Sequence, residues 1–378
     1  MKILYCLAGT FNSGGMERIV IQKANWLSEH GYDVIIATTE QNGQDNFFDI
    51  NKKIRRIDLD VNYSKTVGYN VLKKIFKRKH LMRIHKRKLA SILELEEPNI
   101  VISTFGNEIE FLYKLKDRSK KIAEIHFSKW FRLQYNRKGL WRLIDKYLTW
   151  KDNKILSYYN KFICLTNEDK KNWEGHSNIV QIPNFIEEIT EIPAKLDNKS
   201  MIAVGRLSYQ KGFDRLIKSW KIVNQKYPDW KLHIYGDGEK GDELLNLIES
   251  LNLENCIYIH KPEKEIRYRY LENSALLLTS HYEGLPMVLI EGMSVGLPLI
   301  SFDCQCGPSD VITDGLNGYL VPDGDIDTFA DRIFKIIENE PKRKEMGKNS
   351  LIESKKYDKQ NIMKQWEQLF QEINENKQ

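Results

Sequence analysis

Glu283 and Glu291 stand in the stretch "HYEGLPMVLIEGMSVGLP" with seven residues between them. The preceding "SALLLTS" reads as a buried strand, and "HYEG" leaves it at its carboxyl end. Pro286 suits a first helical position, where its missing N–H would be unpaired anyway. The N–H groups of Met287 and Val288 then point out of the helix start, where negative charge is favoured. Glu291 lies five residues beyond Pro286, roughly 7.5 Å along the helix axis, so the two carboxylates are set apart rather than paired. That layout fits a long ligand. Glu283 would accept from hydroxyls at one end and Glu291 from a ribose diol at the other, with phosphates over the helix N-terminus. Gly284, Leu285, Met287 and Val288 complete this expected donor-binding set. A pair of acids for glycoside hydrolysis is one alternative, but that chemistry needs no phosphate cradle between its carboxylates. A helix-start Glu followed by a capping Glu is the plainer one.

Two further loops offer charge and room. In "VGRLSYQKGFDRLI", Arg206 and Lys211 are five residues apart after a strand. The planar fork of the one and the point charge of the other both suit phosphate oxygens, and Gly212 eases the turn. In "GTFNSGGMERIV", Gly14 and Gly15 allow positive φ and close backbone approach ahead of a helix N-terminus able to face an anion. The spacing is not GxGxxG, so it carries no dinucleotide fingerprint, and a plain tight turn would read the same way. "YGDGEK" is a strand-ending turn rather than a metal-binding carboxylate run. No metal cofactor is expected.

These residues need strand ends to carry them. Over 378 residues the chain twice runs through short apolar strands, glycine-bearing turns and amphipathic helices, the grammar of parallel sheets covered on both faces. "KILYCLAG", "DVIIATTE", "NIVIST", "KIAEIHF" and "KFICLT" serve the first half. "KSMIAVGRL", "WKLHIYGDG", "CIYIH", "SALLLTS", "PLISF" and "NGYLVP" serve the second. The expected organisation is an α/β chain of two doubly wound, Rossmann-like domains, 1–185 and 186–352, facing across a cleft. A helix at 353–378 would return to the first domain through Trp366 and Phe370.

The net charge of +6 hides an asymmetry. Residues 1–185 hold 33 Lys and Arg against 20 Asp and Glu, a balance of +13, and the remainder holds 25 against 32, a balance of −7. Such a basic half favours an anionic surface, membrane or nucleic acid. Nine of its cations fall in 70–93, interleaved with Leu72, Ile75, Phe76, Leu81, Met82, Ile84 and Leu89, the pattern of a helix that lies on an anionic bilayer. A core-facing helix with a solvated outer face would show a similar pattern. The segment 126–150 adds Trp130, Phe131, Trp141 and Trp150, suited either to a headgroup layer or to a core. The five cysteines include three inside apolar runs and read as reduced thiols of a cytoplasmic protein. The apolar run at the start is too short for a signal core, and no stretch reaches the roughly 20 apolar residues of a membrane span.

Taken together, "EGLPMVLIE", "VGRLSYQKG", "SGGMER" and "GPSDVITDGLNGYLVPDGD" resemble the retaining glycosyltransferases of family four, and the likeness covers nearly the whole chain. It implies the GT-B architecture, with a nucleotide sugar held mainly by the second domain and an acceptor by the first. Glu283 would bind donor-sugar hydroxyls, Glu291 the nucleotide ribose, and Arg206 and Lys211 the diphosphate, over which Gly15 would close. His126 in "EIHFS" matches the family's histidine at the acceptor side, with Glu17 beside the acceptor. The catalytic set is therefore His126, Glu283, Arg206 and Lys211. Asp310 stands where the family often has Glu. The resemblance further implies retention of configuration, a UDP-linked hexose or N-acetylhexosamine, and a lipid-linked glycan acceptor at the inner face of the plasma membrane, with no nucleic-acid partner. A GT-B epimerase and a basic nucleic-acid-binding module are the competing readings.

Overall fold

The computed structural model describes residues 1–12, 14–135 and 138–375. The chain divides into two units, one of residues 1–165, 170–182 and 363 onward, the other of residues 166–169 and 183–362. The crossing falls at 182–183 rather than 185–186. Residues 353–362, expected to leave with the last helix, stay with the second unit.

The first unit is built on β1 (Lys2–Leu7), β2 (Asp33–Thr38), β3 (Arg55–Asp58), β4 (Ile100–Ser103), β5 (Lys120–Glu124), β6 (Lys161–Cys164) and β7 (Ile179–Gln181). They form one sheet in the order β3-β2-β1-β4-β5-β6-β7, with every paired neighbour parallel. The two strands that sequence reading does not find, β3 and β7, are its two edges. "RRID" and "IVQ" have one face or none to bury and so lack the apolar run of a central strand. The second unit carries β8 (Ser200–Val204), β9 (Lys231–Tyr235), β10 (Ile257–His260), β11 (Leu276–Leu278), β12 (Leu299–Asp303) and β13 (Gly318–Pro322). Their order is β10-β9-β8-β11-β12-β13, again parallel. Both units are Rossmann-like parallel α/β folds.

In each sheet the strand order reverses once, at β1/β4 in the first unit and at β8/β11 in the second. Ligands of open α/β sheets bind outside the carboxyl ends of the strands at such a reversal. In each unit strands and helices share an apolar core. In the second unit Trp220, Leu216, Phe302 and Phe329 pack together, and in the first Leu4, Val101, Phe162 and Trp173 do so. The helix Lys359–Glu375 contributes Trp366 and Phe370 to the first unit, both buried. Phe370 meets Tyr32 edge-on at 6.3 Å, and Lys23 Nζ lies 4.2 Å from the Trp366 ring. Among the described residues no helix is long and apolar enough to cross a membrane.

Candidate active site

In the second unit the loops that leave β8 and β11 meet at the sheet reversal. Lys211 closes the short turn after β8, and Gly212, at φ +59°, caps the helix Phe213–Lys226 that follows. A Cβ on Gly212 would lie 2.3 Å from the Thr279 carbonyl oxygen at the exit of β11, so only glycine lets the two loops approach this closely. Lys211 Nζ thereby reaches Glu283 Oε1 at 2.6 Å. Ser280 Oγ donates to the same oxygen at 2.6 Å. Glu283 is buried, and its two donors occupy Oε1, which leaves Oε2 for a hydroxyl donor.

The rest of the "HYEG" loop is fixed from its neighbour. The Glu283 N–H donates to the Gln305 carbonyl at 3.2 Å, and Tyr282 pairs with Gln305 as a parallel bridge. Gln210 Nε2 donates to the Tyr282 carbonyl at 3.1 Å, while the Tyr209 and His281 rings stack at 4.3 Å. The helix then runs Met287–Ser294, with Pro286 as its cap at φ −73° and ψ 89°. Pro286 therefore precedes the helix instead of opening it, and Met287 and Val288 are its first residues. Their N–H groups, the first of the helix, have no intrahelical acceptor. Further along this helix Glu291 Oε2 accepts from the buried Tyr270 hydroxyl at 2.9 Å.

Arg206 does not join Lys211. Its guanidinium is mostly exposed and sits 3.3 Å from the exposed Glu239 carboxylate, a pairing worth little in water. The two cations leave the same strand end, but only Lys211 is anchored. Asp310 also has a local task. Its carboxylate accepts from the N–H groups of Asn167 at 2.7 Å and Glu168 at 3.1 Å, holding residues 166–169 in the second unit.

The matching edge of the first unit carries a buried charge cluster. His126 follows β5, and its Nε2 lies 3.0 Å from Glu124 Oε1. Lys23, from the helix Gly15–Glu29, is ion-paired to the same carboxylate, and both are buried. Burial by itself would raise the Glu124 pKa. Lys23 and His126 outweigh it and hold the carboxyl down at about 2. With Nε2 turned to Glu124, the buried Nδ1 of His126 has no hydrogen-bonding partner among the described residues, so it is the ring nitrogen that remains for a ligand or water.

The glycine loop departs from expectation. Gly14 caps its helix at φ −66°, and neither it nor Gly15 has positive φ. What glycine supplies is room: a Cβ on Gly15 would meet nothing within 4 Å. At Gly14 a Cβ would lie 2.1 Å from Glu17 Oε2. The Glu17 carboxylate thus folds over its own helix start, where Asn12 Nδ2 donates to it at 3.4 Å.

Three functional supports were not visible in the sequence. Lys23 and Tyr270 gave no signal beyond a polar group on an apolar helix face. Arg215 had a faint one, a charge on the buried side of "FDRLIKSW". Its guanidinium donates to the Thr279 carbonyl through Nε at 3.1 Å and Nη2 at 2.5 Å, and Nη1 reaches Asp323 at 2.7 Å. It pins the strand end from which Glu283 departs. Among the described residues no group of three or more His, Cys, Asp or Glu side chains is arranged to hold a metal ion.

Two family models together match residues 13–351. "Glycosyltransferase Family 4" covers residues 13–188 and "Glycosyl transferases group 1" covers residues 184–351. An uncharacterized glycosyltransferase of Haemophilus influenzae is 30% identical over 98% of this chain and 99% of its own length. The amylovoran biosynthesis glycosyltransferase AmsD of Erwinia amylovora is 29% identical over 98% and 99%. Among solved structures, a Staphylococcus aureus TarM mutant in complex with fondaparinux, alpha-GlcNAc-glycerol and UDP superposes with a TM-score of 0.77. It does so at 17% identity over 98% of this chain and 99% of that one. This last likeness shows the fold.

Proposed function

Because the chain belongs to the family-four glycosyltransferases and has their GT-B fold, we propose that it moves a hexose or N-acetylhexosamine from a UDP-linked donor, with retention of configuration, to a lipid-linked glycan acceptor in surface-polysaccharide assembly. The observation that carries this reading is the Lys211–Glu283–Ser280 constellation beside the Met287 helix start, at the sheet reversal of the second unit. Glu283 Oε2 receives the donor-sugar hydroxyls, and Glu291, oriented by Tyr270, receives the ribose. As the sugar–phosphate bond loosens, charge grows on the diphosphate. Lys211 and the N–H groups of Met287 and Val288 already stand where it grows, and preorganised groups of this kind are worth far more than mobile ones. Arg206 swings from its weak contact with Glu239 to join them. With the leaving group neutralised in this way, the reaction proceeds without a metal. In the first unit His126, backed by Glu124 and Lys23, serves the acceptor side, and Glu17 lies at the neighbouring helix start.

UDP is favoured by the UDP held in the TarM complex, and the glycan acceptor by the amylovoran relative. The basic first half and the proposed lipid-linked acceptor support a location at the cytoplasmic face of the plasma membrane. The test is a thermal-shift screen against UDP-, GDP- and ADP-sugars in the presence of a chelator. NMR of the product formed with the donor that binds then follows. The expected outcome is a shift with UDP-sugars alone and an axial-to-axial transfer of the anomeric bond. Selective stabilisation by GDP or ADP would overturn the base assignment, and an inverted product would overturn retention.

A further inference from the structure

The helix Leu140–Leu156 is packed polar side inward over all but its last turn. Its buried residues there are Asp145, Thr149 and Asp152, whereas Leu140, Trp141, Leu143, Ile144, Tyr147 and Trp150 are exposed, at between 36% and 71%. The polar side is what anchors it: Arg132 Nη2 reaches Asp152 Oδ2 at 2.8 Å, while the buried Thr149 Oγ1 is satisfied within the helix by the Asp145 carbonyl at 2.9 Å. Positions 140, 143, 144, 147 and 150 share one helical face. Arg142, Lys146 and Lys154 are exposed with them, and both acids of the helix are turned inward. A helix that folds this way leaves its apolar stripe for something other than the core.

A second helix repeats the chemistry. In Val71–Glu96 every residue from Leu72 to His80 is exposed, so this stretch is buried on no side. Leu72 and Phe76 are each 71% exposed, among Lys73, Lys74, Lys77, Arg78 and Lys79. The two helices flank one short turn, Asn107–Glu110. Arg78 Nη2 donates to Asn107 Oδ1 at 2.7 Å, and Lys151 Nζ pairs with Glu110 Oε2 at 2.6 Å.

We propose that these two faces form a single docking surface for an anionic bilayer, an inference that rests on the reading of a lipid-linked acceptor. The apolar stripe enters the headgroup layer, where Trp141, Tyr147 and Trp150 place their amphipathic rings. The surrounding cations lie on lipid phosphates. A second copy fits less well, because a two-fold contact would set this cationic patch against itself. A nucleic acid would engage the cations but leave Leu140, Ile144 and Leu72 in water.

The test is flotation of the full chain with vesicles of phosphatidylcholine alone and of phosphatidylcholine and phosphatidylglycerol in equal parts. The parent should float with the anionic vesicles and show a blue-shifted tryptophan emission. Two variants separate the contributions. Leu140→Ser with Trp141→Ser and Ile144→Ser should lose at least tenfold in partitioning. Lys73→Glu with Lys74→Glu and Lys77→Glu should lose the anionic preference, about fivefold per lysine removed. Since all six side chains are exposed and outside the catalytic set, donor-sugar hydrolysis in solution should stay at the parent's rate in both. Either variant floating like the parent would overturn the proposal. So would a parent that ignores vesicles but dimerises, or binds an acidic protein, through the same stripe. If vesicles bind as expected and no nucleotide sugar is turned over, the docking surface stands and the transfer reading falls.

Discussion

Glu283 shares one carboxylate oxygen between a lysine and a serine, so its position is set before any ligand arrives. Replacing it with Gln keeps the shape but removes the charge that Lys211 answers. The expected loss in transfer rate is on the order of a hundredfold to a thousandfold, with the fold unchanged by circular dichroism. Lys211→Ala should lose as much, because it deletes the cation proposed to meet the diphosphate and leaves Glu283 buried without its partner. Near-parental rates in both would remove this site from consideration. Lys23 is argued differently. It is buried against Glu124, so Lys23→Met strands a buried carboxylate and should cost about 3–5 kcal/mol in urea unfolding. The double variant with Glu124→Gln should recover most of it. The sign of the pH dependence follows from Glu124, whose folded pKa is held at about 2 against an ordinary value of 4.5. Its contribution is complete above about pH 4.5 and is lost as the pH falls toward 2. Acid titration of Glu124→Gln should lack that component.

At the scale of elements, the site depends on two loops approaching within the reach of a side chain. Gly212 sets that distance. With φ +59° and the Thr279 carbonyl 2.3 Å from where a Cβ would stand, Gly212→Ala combines left-handed strain of about 1–2 kcal/mol with a backbone clash. The measured loss in thermal unfolding should exceed the strain alone, and transfer should fall as Lys211 is displaced from Glu283. A variant as stable as the parent would show that the turn relaxes freely. Much of this element-level architecture could be read in advance. "SALLLTS" and "KSMIAVGRL" are apolar runs bounded by turn residues, and central strands of parallel sheets must be apolar on both faces. "RRID" and "IVQ" could not, because an edge strand has less to bury. The glycine loop was legible as a loop, but its dihedrals were not, since glycine can supply open space as readily as positive φ. The exposed stripe on Leu140–Leu156 was ambiguous for a related reason. Its period identifies a helix, and the same period serves a core or a bilayer.

For the whole molecule, binding to one unit must register as stability of the chain. UDP at about a hundred times its Kd should add roughly 2.7 kcal/mol to the unit that holds it, read by calorimetry. Lys211→Ala should abolish that gain, and an undiminished shift in the variant would move the nucleotide elsewhere. What the sequence determined by itself was the run of central strands and the two Rossmann-like units, and it put Glu283, Glu291, Lys211 and His126 forward as candidates at their strand ends and helix starts. Local propensity, apolar runs and turn chemistry act over a few residues and are written in order along the chain. What only the tertiary structure decided was partnership. Lys211 with Glu283, Tyr270 with Glu291, and Lys23 with Glu124 join residues 72, 21 and 101 positions apart. Such pairs depend on which strands become neighbours and which helix face turns inward. Burial and sheet order settle both, and neither is a property of any short stretch.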